Sequence, residues 1–414
     1  MGTVEFLRRN APFLSVGALL TFVSSFGQTY FISIFAGEIR AEFRLGHGDW
    51  GAIYAAGTMA SAIVMVWAGA LTDVFRVRRL SLFVLIGLAA ACLAMAALPA
   101  VWLLPFVIFC LRLGGQGMSS HIATVAMARW FVAARGRALA IASLGFALGE
   151  AFLPLIFVWA LGFWHWRALW VVAAGVVLLI LPVVVRLLRE ERTPQSAAKD
   201  GAATGMLGRH WTRSEVLRHW LFWAIFPAVL GPSAFGTAFF FQQVHLAEVK
   251  GWEHLELVAL FPLYTGVGIL SMLGSGWLID RIGTGWLMPL AQLPVAAAFL
   301  VLAQADSLGV AAIAVSLMAV TFGAGATLPG AFWAEYFGTR HLGAIKALAT
   351  AVMVLGSAIG PWITGSLIDL GYDFPDQMVW IGAWFLLVFL LVAFAMSRAR
   401  CDLSPAAQVD IVGS

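Results

Sequence analysis

The sequence carries little charge. Of its 414 residues only 11% are charged, whereas 62% are hydrophobic, and the mean hydropathy is +0.92. A soluble domain carries about 25% charged residues, so this chain cannot present a mostly polar surface to water. Lipid must cover much of it, and the composition predicts an integral membrane protein.

Cysteines and the motifs of soluble enzymes are also scarce. Of the three cysteines, Cys92 and Cys110 lie in apolar segments and Cys401 lies near the carboxyl end, so neither a disulfide nor a zinc site is predicted. No lysine follows a glycine, which excludes the phosphate-binding loop of ATPases. His-Glu-x-x-His, Cys-x-x-Cys and Gly-x-Ser-x-Gly are absent from the sequence as well. We therefore expect a protein that is not an enzyme and needs no cofactor or metal.

What the sequence does contain is an internal repeat with an offset of 207 residues. Gly69, Leu71 and Asp73 return as Gly276, Leu278 and Asp280, and Gly136, Gly149 and Pro154 return as Gly343, Gly356 and Pro361. Duplication in such an apolar chain predicts two homologous halves, which is the pattern of membrane transporters.

Twelve segments are long and apolar enough to cross a bilayer, which takes roughly 20 residues each. They cover 11–37, 50–72, 80–99, 101–128, 137–162, 167–188, 219–246, 257–279, 286–305, 308–336, 344–370 and 378–397. We predict an all-α integral membrane fold of twelve transmembrane helices, in two pseudo-symmetric six-helix bundles around a central cavity. The predicted parts are an amino-terminal bundle (1–188), a cytoplasmic linker (189–218), a carboxyl-terminal bundle (219–397) and a cytoplasmic tail (398–414). In the linker, Thr212-Arg-Ser-Glu215 has the spacing of a capping box and predicts a short helix before the seventh span.

The basic residues are distributed unequally between the two ends of these segments. Of 25 Lys and Arg residues, 20 lie on one side, and only Arg40, Arg44, Arg167 and Lys250 lie on the other, with Arg112 inside a span. The positive-inside rule then places both termini and the linker in the cytoplasm, with the chain as a multi-pass protein of the inner membrane. Because the basic clusters lie at helix ends, no nucleic-acid partner is expected.

The loop after the second span resembles the signature of the major facilitator superfamily, Gly-x-x-x-Asp-Arg-x-Gly-Arg-Arg/Lys, and the likeness of span number and arrangement covers nearly the whole chain. The residues that fit, with their repeat copy after the eighth span, are Gly69, Asp73, Arg78, Arg79, Gly276, Asp280 and Arg281. Small residues permit close helix contact, and an Asp near basic groups can form a cytoplasmic gate held by charge. The alternative is that Asp73 and Asp280 only end their helices.

Two further elements resemble that family. Arg112-Leu-Gly-Gly-Gln116-Gly in the fourth span is similar to Arg-x-x-Gln-Gly-x-Gly, and Gly145-x3-Gly149 in the fifth is similar to the start of the antiporter motif, with Glu150 where that motif has proline. In the eleventh span Gly356, Gly360 and Pro361 follow the same pattern. These positions predict close helix packing. The eighth span has no acidic–basic pair of the kind expected in the monocarboxylate transporters of that superfamily, so the sequence assigns no subfamily.

Arg112 and Glu150 are the ionisable residues at mid-membrane depth, where charge is costly and a functional role is the default hypothesis. Their repeat positions carry Ala319 and Ser357, so each charge is present in one half only. Because a short loop joins spans 4 and 5, we expect the two residues to be close. A structural ion pair that locks the bundle is the alternative.

Other polar residues of the spans are candidates to face the cavity. Gln116 and Ser119 share a face with Arg112 if the fourth span is an α-helix. The remaining candidates are Gln28, Tyr54, Gln242, Gln243 and Tyr264. For the glutamines, hydrogen bonds between helices are the alternative role.

The sequence therefore predicts a secondary active transporter that moves a small organic solute by alternating access, with an organic anion and protons as the favoured pair. Its expected partners are the solute, protons and the lipid bilayer, and it is expected to act as a monomer. Two alternatives stay open: an efflux carrier for hydrophobic compounds, and a membrane sensor that binds solute without transporting it.

Overall fold

A computed structural model describes residues 3–69, 71–131, 135–189, 205–338 and 341–402. All regular structure in these ranges is helical. Twelve helical segments within them are long and apolar enough to span a membrane: Asn10–Gly27, His47–Ala68, Val77–Ala96, Val101–Met127, Ala138–Leu161, Trp166–Leu187, Trp220–Phe241, His254–Ile279, Thr284–Ala303, Leu308–Phe337, Leu348–Asp369 and Phe374–Ala399. The prediction of twelve spans and an all-α membrane fold is confirmed, and every boundary except the end of the first span lies within about five residues of its predicted place.

The amino-terminal half contains the first six spans. Its helices are Thr3–Ser24, Thr29–Ile32, Ala36–Phe43, His47–Ala68, Leu71–Val74, Val77–Ala96, Leu104–Arg112, Leu113–Ser119, Ser120–Trp130, Arg135–Leu161 and Trp166–Leu187. The short 3₁₀ turns of this half are Ser25–Gly27, Ser33–Phe35 and Val101–Leu103.

The carboxyl-terminal half contains the other six spans. Its helices are Arg213–Arg218, Trp220–Phe241, Gln243–Lys250, His254–Val258, Phe261–Ile282, Thr284–Leu290, Gln292–Ala303, Leu308–Gly325, Leu328–Phe337, Leu342–Asp369 and Phe374–Ala399. Its 3₁₀ turns are Met206–Gly208 and Arg400–Asp402.

The first span is broken, which the sequence did not predict. Its helix ends at Ser24, a 3₁₀ turn covers Ser25–Gly27, and Gln28 is extended (φ −88°, ψ 154°) before helix resumes at Thr29. The Ser24 hydroxyl donates to the Thr21 carbonyl at 2.6 Å, the kind of local bond by which serine competes with the helix ladder. The prediction of one continuous span over 11–37 is therefore wrong for the end of that segment.

The fourth span contains a π-helix over Leu113–Ser119, inside an otherwise α-helical segment. Three glycines in this stretch weaken the α-helix, and the Ser119 hydroxyl donates to the carbonyl of Gly114 at 2.7 Å, five residues back. Short π segments of this kind are frequent at functional sites.

The chain divides into two compact units, one of residues 1–198 with Phe240–Val244, and one of Lys199–Phe239 with His245–Ser414. Within the first, the first span packs on the fifth, the second on the fourth and the third on the sixth. Within the second, the eighth packs on the tenth and the ninth on the twelfth, and glycines of the eleventh approach the seventh. The recurrence of the same helix pairs confirms two pseudo-symmetric bundles.

Glycines allow these helix pairs to approach closely. A Cβ at Gly145 would meet the carbonyl of Ala18 in the first span, and one at Gly149 would meet the Ser25 hydroxyl. In the other half, a Cβ at Gly356 would stand 2.7 Å from the Leu230 carbonyl oxygen, and one at Gly360 would meet the Ala234 carbonyl. Pro361 follows within the same eleventh-span helix, Leu342–Asp369.

We expect Gly145→Ala to destabilise the protein by about 1–3 kcal/mol, because the added methyl group forces backbones apart. Thermal unfolding of the purified protein measures this effect. Gly175→Ala is the matched control, since no heavy atom lies within 4 Å of a Cβ built at Gly175, a residue of the sixth span. Equal unfolding temperatures for the two variants would contradict the packing role.

The described end of the linker also follows its prediction. Helix Arg213–Arg218 begins after Thr212, whose backbone N–H and hydroxyl both donate to the Glu215 carboxylate at 2.7 Å. These bonds, led by the one from the backbone N–H, hold the pKa of Glu215 below its usual value. The capping box is therefore formed.

Candidate functional site

Arg112 is the most deeply buried charge of the amino-terminal half that the structure describes, with 2% of its surface exposed. Its Nη1 donates to the Gly27 carbonyl and to the Thr29 hydroxyl, both at 3.3 Å. Its guanidinium carbon lies 5.4 Å from the centre of the Tyr54 ring. Among the described residues these three partners are all uncharged, so Arg112 is held in place without being neutralised.

The break in the first span creates this arrangement. The last carbonyls of a helix have no partner within the helix, and the turn at Ser25–Gly27 leaves the Gly27 carbonyl to accept from Arg112. The break can approach the π-helix because two glycines face each other. A Cβ at Gly27 would stand 2.8 Å from the Cα of Gly115, and one at Gly115 would stand 2.6 Å from the Cα of Gly27. Only glycine fits at either position.

Tyr54 joins the second span to the same place. Its hydroxyl lies 2.5 Å from the Thr29 hydroxyl, so the phenol and Arg112 share one partner. Phe241 lies against the Tyr54 ring, with centroids 4.8 Å apart, and stacks on Trp50 at 5.5 Å. The result is a buried guanidinium beside Tyr54, a ring that also contacts Phe241 and Trp50. Sequence reasoning singled out Arg112 and Tyr54 but missed Thr29, Phe241 and Trp50, for which the only signal was polar Thr29 beside Gln28.

Glu150 reaches the break from the fifth span. It is partly buried and lies within electrostatic range of the Tyr30 hydroxyl. That hydroxyl donates to the Ser25 hydroxyl at 2.8 Å, and Ser25 in turn borders Gly149. Glu150 and Arg112 therefore both border the Ser25–Thr29 segment, Glu150 near Tyr30 and Arg112 through Gly27 and Thr29.

A direct Arg112–Glu150 ion pair is not among the contacts of Arg112 in the described part of the chain, so the two charges are connected through the first span instead. The shared face expected for Arg112, Gln116 and Ser119 also needs correction. It assumed α-helical spacing, whereas this stretch is a π-helix with a different number of residues per turn. Gln116 is half-buried, and its backbone nitrogen lies 3.0 Å from where a Cβ of Gly27 would stand.

The predicted glutamines occupy packed positions. Gln243 is fully buried, and its two Nε2 hydrogens are shared among three acceptors: the Tyr30 carbonyl at 3.3 Å, the Ser33 hydroxyl at 2.8 Å and the Phe240 carbonyl at 2.9 Å. The contacts with Tyr30 and Ser33 join two helical segments, which is the alternative role weighed for Gln243. Gln28 and Gln242 are buried as well.

Tyr264, another predicted site residue, is buried in the second unit, and its ring lies 6.4 Å from that of Phe322.

The gate residues are only partly described. The side chains of Asp73 and Asp280 lie outside the described residues. The carbonyl of Gly69 lies 3.2 Å from Nε2 of His121. No described heavy atom lies within 4 Å of a Cβ at Gly276, so the predicted helix contact is not found there.

Exposed arginines flank these positions. Arg79 lies over the rings of Phe75 and Phe83 at 6.0 and 5.9 Å, and Arg281 lies 4.3 Å from the centre of the Trp277 ring. Arg78 is also exposed.

Comparison with known proteins agrees with this organisation. The family model described as the Major Facilitator Superfamily matches residues 17–361. A curated relative, Monocarboxylate transporter 13 of Bos taurus, is 30% identical over 275 residues, which cover 63% of this chain and 60% of that protein. The match thus spans about three fifths of that relative's length.

Two solved structures are similar in fold. A bacterial homologue of the human lysosomal transporter Spinster, inward-facing and unoccupied, gives a TM-score of 0.66 at 16% identity, over 97% of this chain and 95% of that one. The nucleoside transporter NupG gives a TM-score of 0.69 at 12% identity, over 94% and 99%. At such identities these matches show a shared fold.

Proposed function

The chain belongs to the major facilitator superfamily, and we propose that it is a secondary transporter that moves a small organic anion together with protons by alternating access. The proposal rests on Arg112. Its guanidinium is buried within a span, and all of its described partners are neutral. In keeping with the excess of basic residues on one side, the termini and linker lie in the cytoplasm.

A buried charge without a counter-ion is costly, and in a membrane span it marks a substrate or ion pathway. Carbonyl, hydroxyl and aromatic ring stabilise the Arg112 cation only in part. Its Nε is buried and has no hydrogen-bond partner among the described residues, so binding capacity remains. A solute carboxylate satisfies it, because the guanidinium fork matches two carboxylate oxygens.

The substrate class is inferred from the aromatic cluster that adjoins Arg112 through Tyr54. Tyr54, Trp50 and Phe241 are buried aromatic residues suited to a short hydrocarbon body beside one carboxylate. The monocarboxylate transporter among the relatives supports the same class. In this chain the cation that binds the solute carboxylate is Arg112 of the fourth span, since the eighth span has no acidic–basic pair.

Coupling is assigned to Glu150. An anion at Arg112 changes the charge next to the Ser25–Thr29 segment, and Glu150 borders the same segment near Tyr30. Proton and solute occupancy are then linked through one broken helix, as symport requires.

Uptake by proteoliposomes tests the proposal. Labelled monocarboxylate should exchange in counterflow, and an inward proton gradient should drive its accumulation. Counterflow separates a carrier from a sensor, because a sensor binds the solute without exchanging it. Exchange of hydrophobic amines or neutral compounds, with no exchange of any carboxylate, would contradict the proposal.

The gate gives a second prediction. We expect Asp73→Asn and Asp280→Asn to slow transport several-fold at unchanged membrane insertion, because losing charge beside cytoplasmic basic groups unbalances the inward-open and outward-open states. Initial uptake rates at equal expression measure this. Native uptake rates in both variants would show that Asp73 and Asp280 only end their helices and do not control the gate.

A further inference from the structure

Five arginines in the described part of the chain lie over tryptophan rings, and they form two groups. In the first group the tryptophans are buried, with 3% and 4% of their surface exposed, and the arginines bind carboxylates at 2.6 and 3.4 Å. The members of this group are Trp166 with Arg167 and Glu42, and Trp211 with Arg209 and Glu215. Both arginines are therefore paired with a carboxylate of the protein itself.

The second group differs in both respects, and all of it lies in the second unit. Its tryptophans are between 40% and 55% exposed, and no described carboxylate oxygen lies within 4.0 Å of a nitrogen of its arginines. We call these contacts the arginine–tryptophan belt. The guanidinium carbon lies 4.3 Å from the ring centre for Arg281 over Trp277, 3.7 Å for Arg400 over Trp286 and 5.8 Å for Arg398 over Trp220.

The belt lies at one level of the bilayer. Trp220 begins the seventh span, and Trp286 lies in the first turn of the ninth. Trp277 and Arg398 lie in the last turns of the eighth and twelfth spans, which end on the same side of the membrane. Exposed tryptophans near the ends of spans are typical of the layer of lipid head groups. The arginines of the belt therefore lie close to the depth of the lipid phosphates.

Arg400 shows how the belt is built. A Cβ at Gly285 would lie 3.3 Å from Cδ of Arg400, so the stem of the arginine passes over a position that has no side chain. Its Nε donates to the Met396 carbonyl at 3.2 Å, which helps to hold the guanidinium over Trp286. The two terminal nitrogens of Arg400 have no acceptor among the described residues, so they can donate to a ligand.

The charge of the belt favours an anion. Glu335, at the same end of the second unit, is already bound within the protein, since it accepts from the backbone N–H of Thr284 at 3.1 Å and from its hydroxyl at 2.7 Å. A phosphate group suits the arginines of the belt, because a guanidinium donates two parallel hydrogen bonds to phosphate oxygens. A phospholipid with net negative charge supplies this group without the quaternary ammonium that phosphatidylcholine brings.

We propose that the arginine–tryptophan belt binds phospholipids with net negative charge. Arg281, Arg398 and Arg400 donate to the lipid phosphate oxygens, and the exposed tryptophan faces pack against the glycerol and the first carbons of the acyl chains. The bilayer supplies the ligand because the rings beside the arginines are exposed within spans. Basic pockets between spans bind anionic lipid head groups in the same way. This binding is independent of the solute and the proton proposed above.

Native mass spectrometry of the purified full chain tests the proposal. The protein is offered equal amounts of phosphatidylglycerol and phosphatidylcholine with the same acyl chains. We expect the native protein to retain several times more phosphatidylglycerol, and a variant with all three belt arginines replaced by glutamine to retain both lipids about equally. Trp286→Leu, which changes no charge, should also lower the preference, because the ring helps to position Arg400. A triple variant with the native preference would overturn the proposal.

Arg213→Gln is the matched control for Arg400→Gln. Arg213 is exposed in the second unit, in the short helix before the seventh span, and it lies over no tryptophan ring in the described ranges. We expect Arg400→Gln to lower the preference and Arg213→Gln to leave it unchanged. An equal loss in both variants would overturn the belt in favour of general surface charge. Displacement of phosphatidylglycerol by inorganic phosphate would overturn the lipid assignment in favour of a site for soluble anions.

Discussion

Replacing Arg112 with alanine should reduce monocarboxylate uptake by about 100-fold or more, since removing one member of a buried charged contact costs several kcal/mol. Arg112→Lys should restore little, because lysine presents a point charge and cannot bind a carboxylate with two parallel hydrogen bonds. Its shorter reach to the Gly27 carbonyl and Thr29 hydroxyl weakens the positioning contacts too. Initial rates of uptake into proteoliposomes, at equal protein density, measure both effects.

Arg186→Ala is the control for this result, because Arg186 is exposed at the end of the sixth span. The double variant Arg112→Ala with Glu150→Ala tests whether the two residues form a structural ion pair. Since Arg112 contacts the first span rather than a described carboxylate, the second change should not rescue uptake. Native activity in the double variant would end the role of Arg112 as a substrate contact.

Glu150→Gln should separate solute exchange from proton-driven accumulation. The amide keeps the size of the side chain beside Tyr30 and Ser25 but cannot exchange a proton, so counterflow persists while accumulation against a gradient falls to the level of empty vesicles. Both quantities come from the same proteoliposome preparation, which removes differences in insertion. Glu248→Gln is the control, an exposed carboxylate beyond the seventh span.

Full accumulation in Glu150→Gln would make Glu150 structural. Loss of counterflow together with accumulation would assign Glu150 to solute binding or to the packing of Gly149 against the first span, rather than to coupling.

The twelve spans and the duplicated halves follow from the sequence because they depend on local hydropathy and on a repeat that can be read directly. Arg112 could be found for the same reason, as a charge in an apolar run. The partner of Arg112 could not be found in this way. The Gly27 carbonyl is a backbone group and carries no sequence signal, and it becomes available only where the first helix stops.

The break and the π-helix are tertiary features that depend on each other. Gly27 and Gly115 are 88 residues apart in the chain, and each permits the approach of the other. Propensity predicts at most a weak helix at Gly114–Gly117, not a change of hydrogen-bond register. For Gln243, the sequence did not distinguish a side chain that lines the cavity from one that forms hydrogen bonds between helices. The hydrogen-bond partner Ser33, which distinguishes them, lies 210 residues earlier in the chain.

The central claim is that one carboxylate at Arg112 and one proton at Glu150 cross the membrane in the same cycle. The most direct measurement is the internal pH of proteoliposomes, read by an entrapped dye while a monocarboxylate flows in down its own gradient. Arg112→Ala vesicles supply the background from passive entry of the neutral acid. The account predicts that the interior of native vesicles acidifies in step with solute entry, well beyond that background. Solute entry through the native protein with no acidification beyond the background would contradict it.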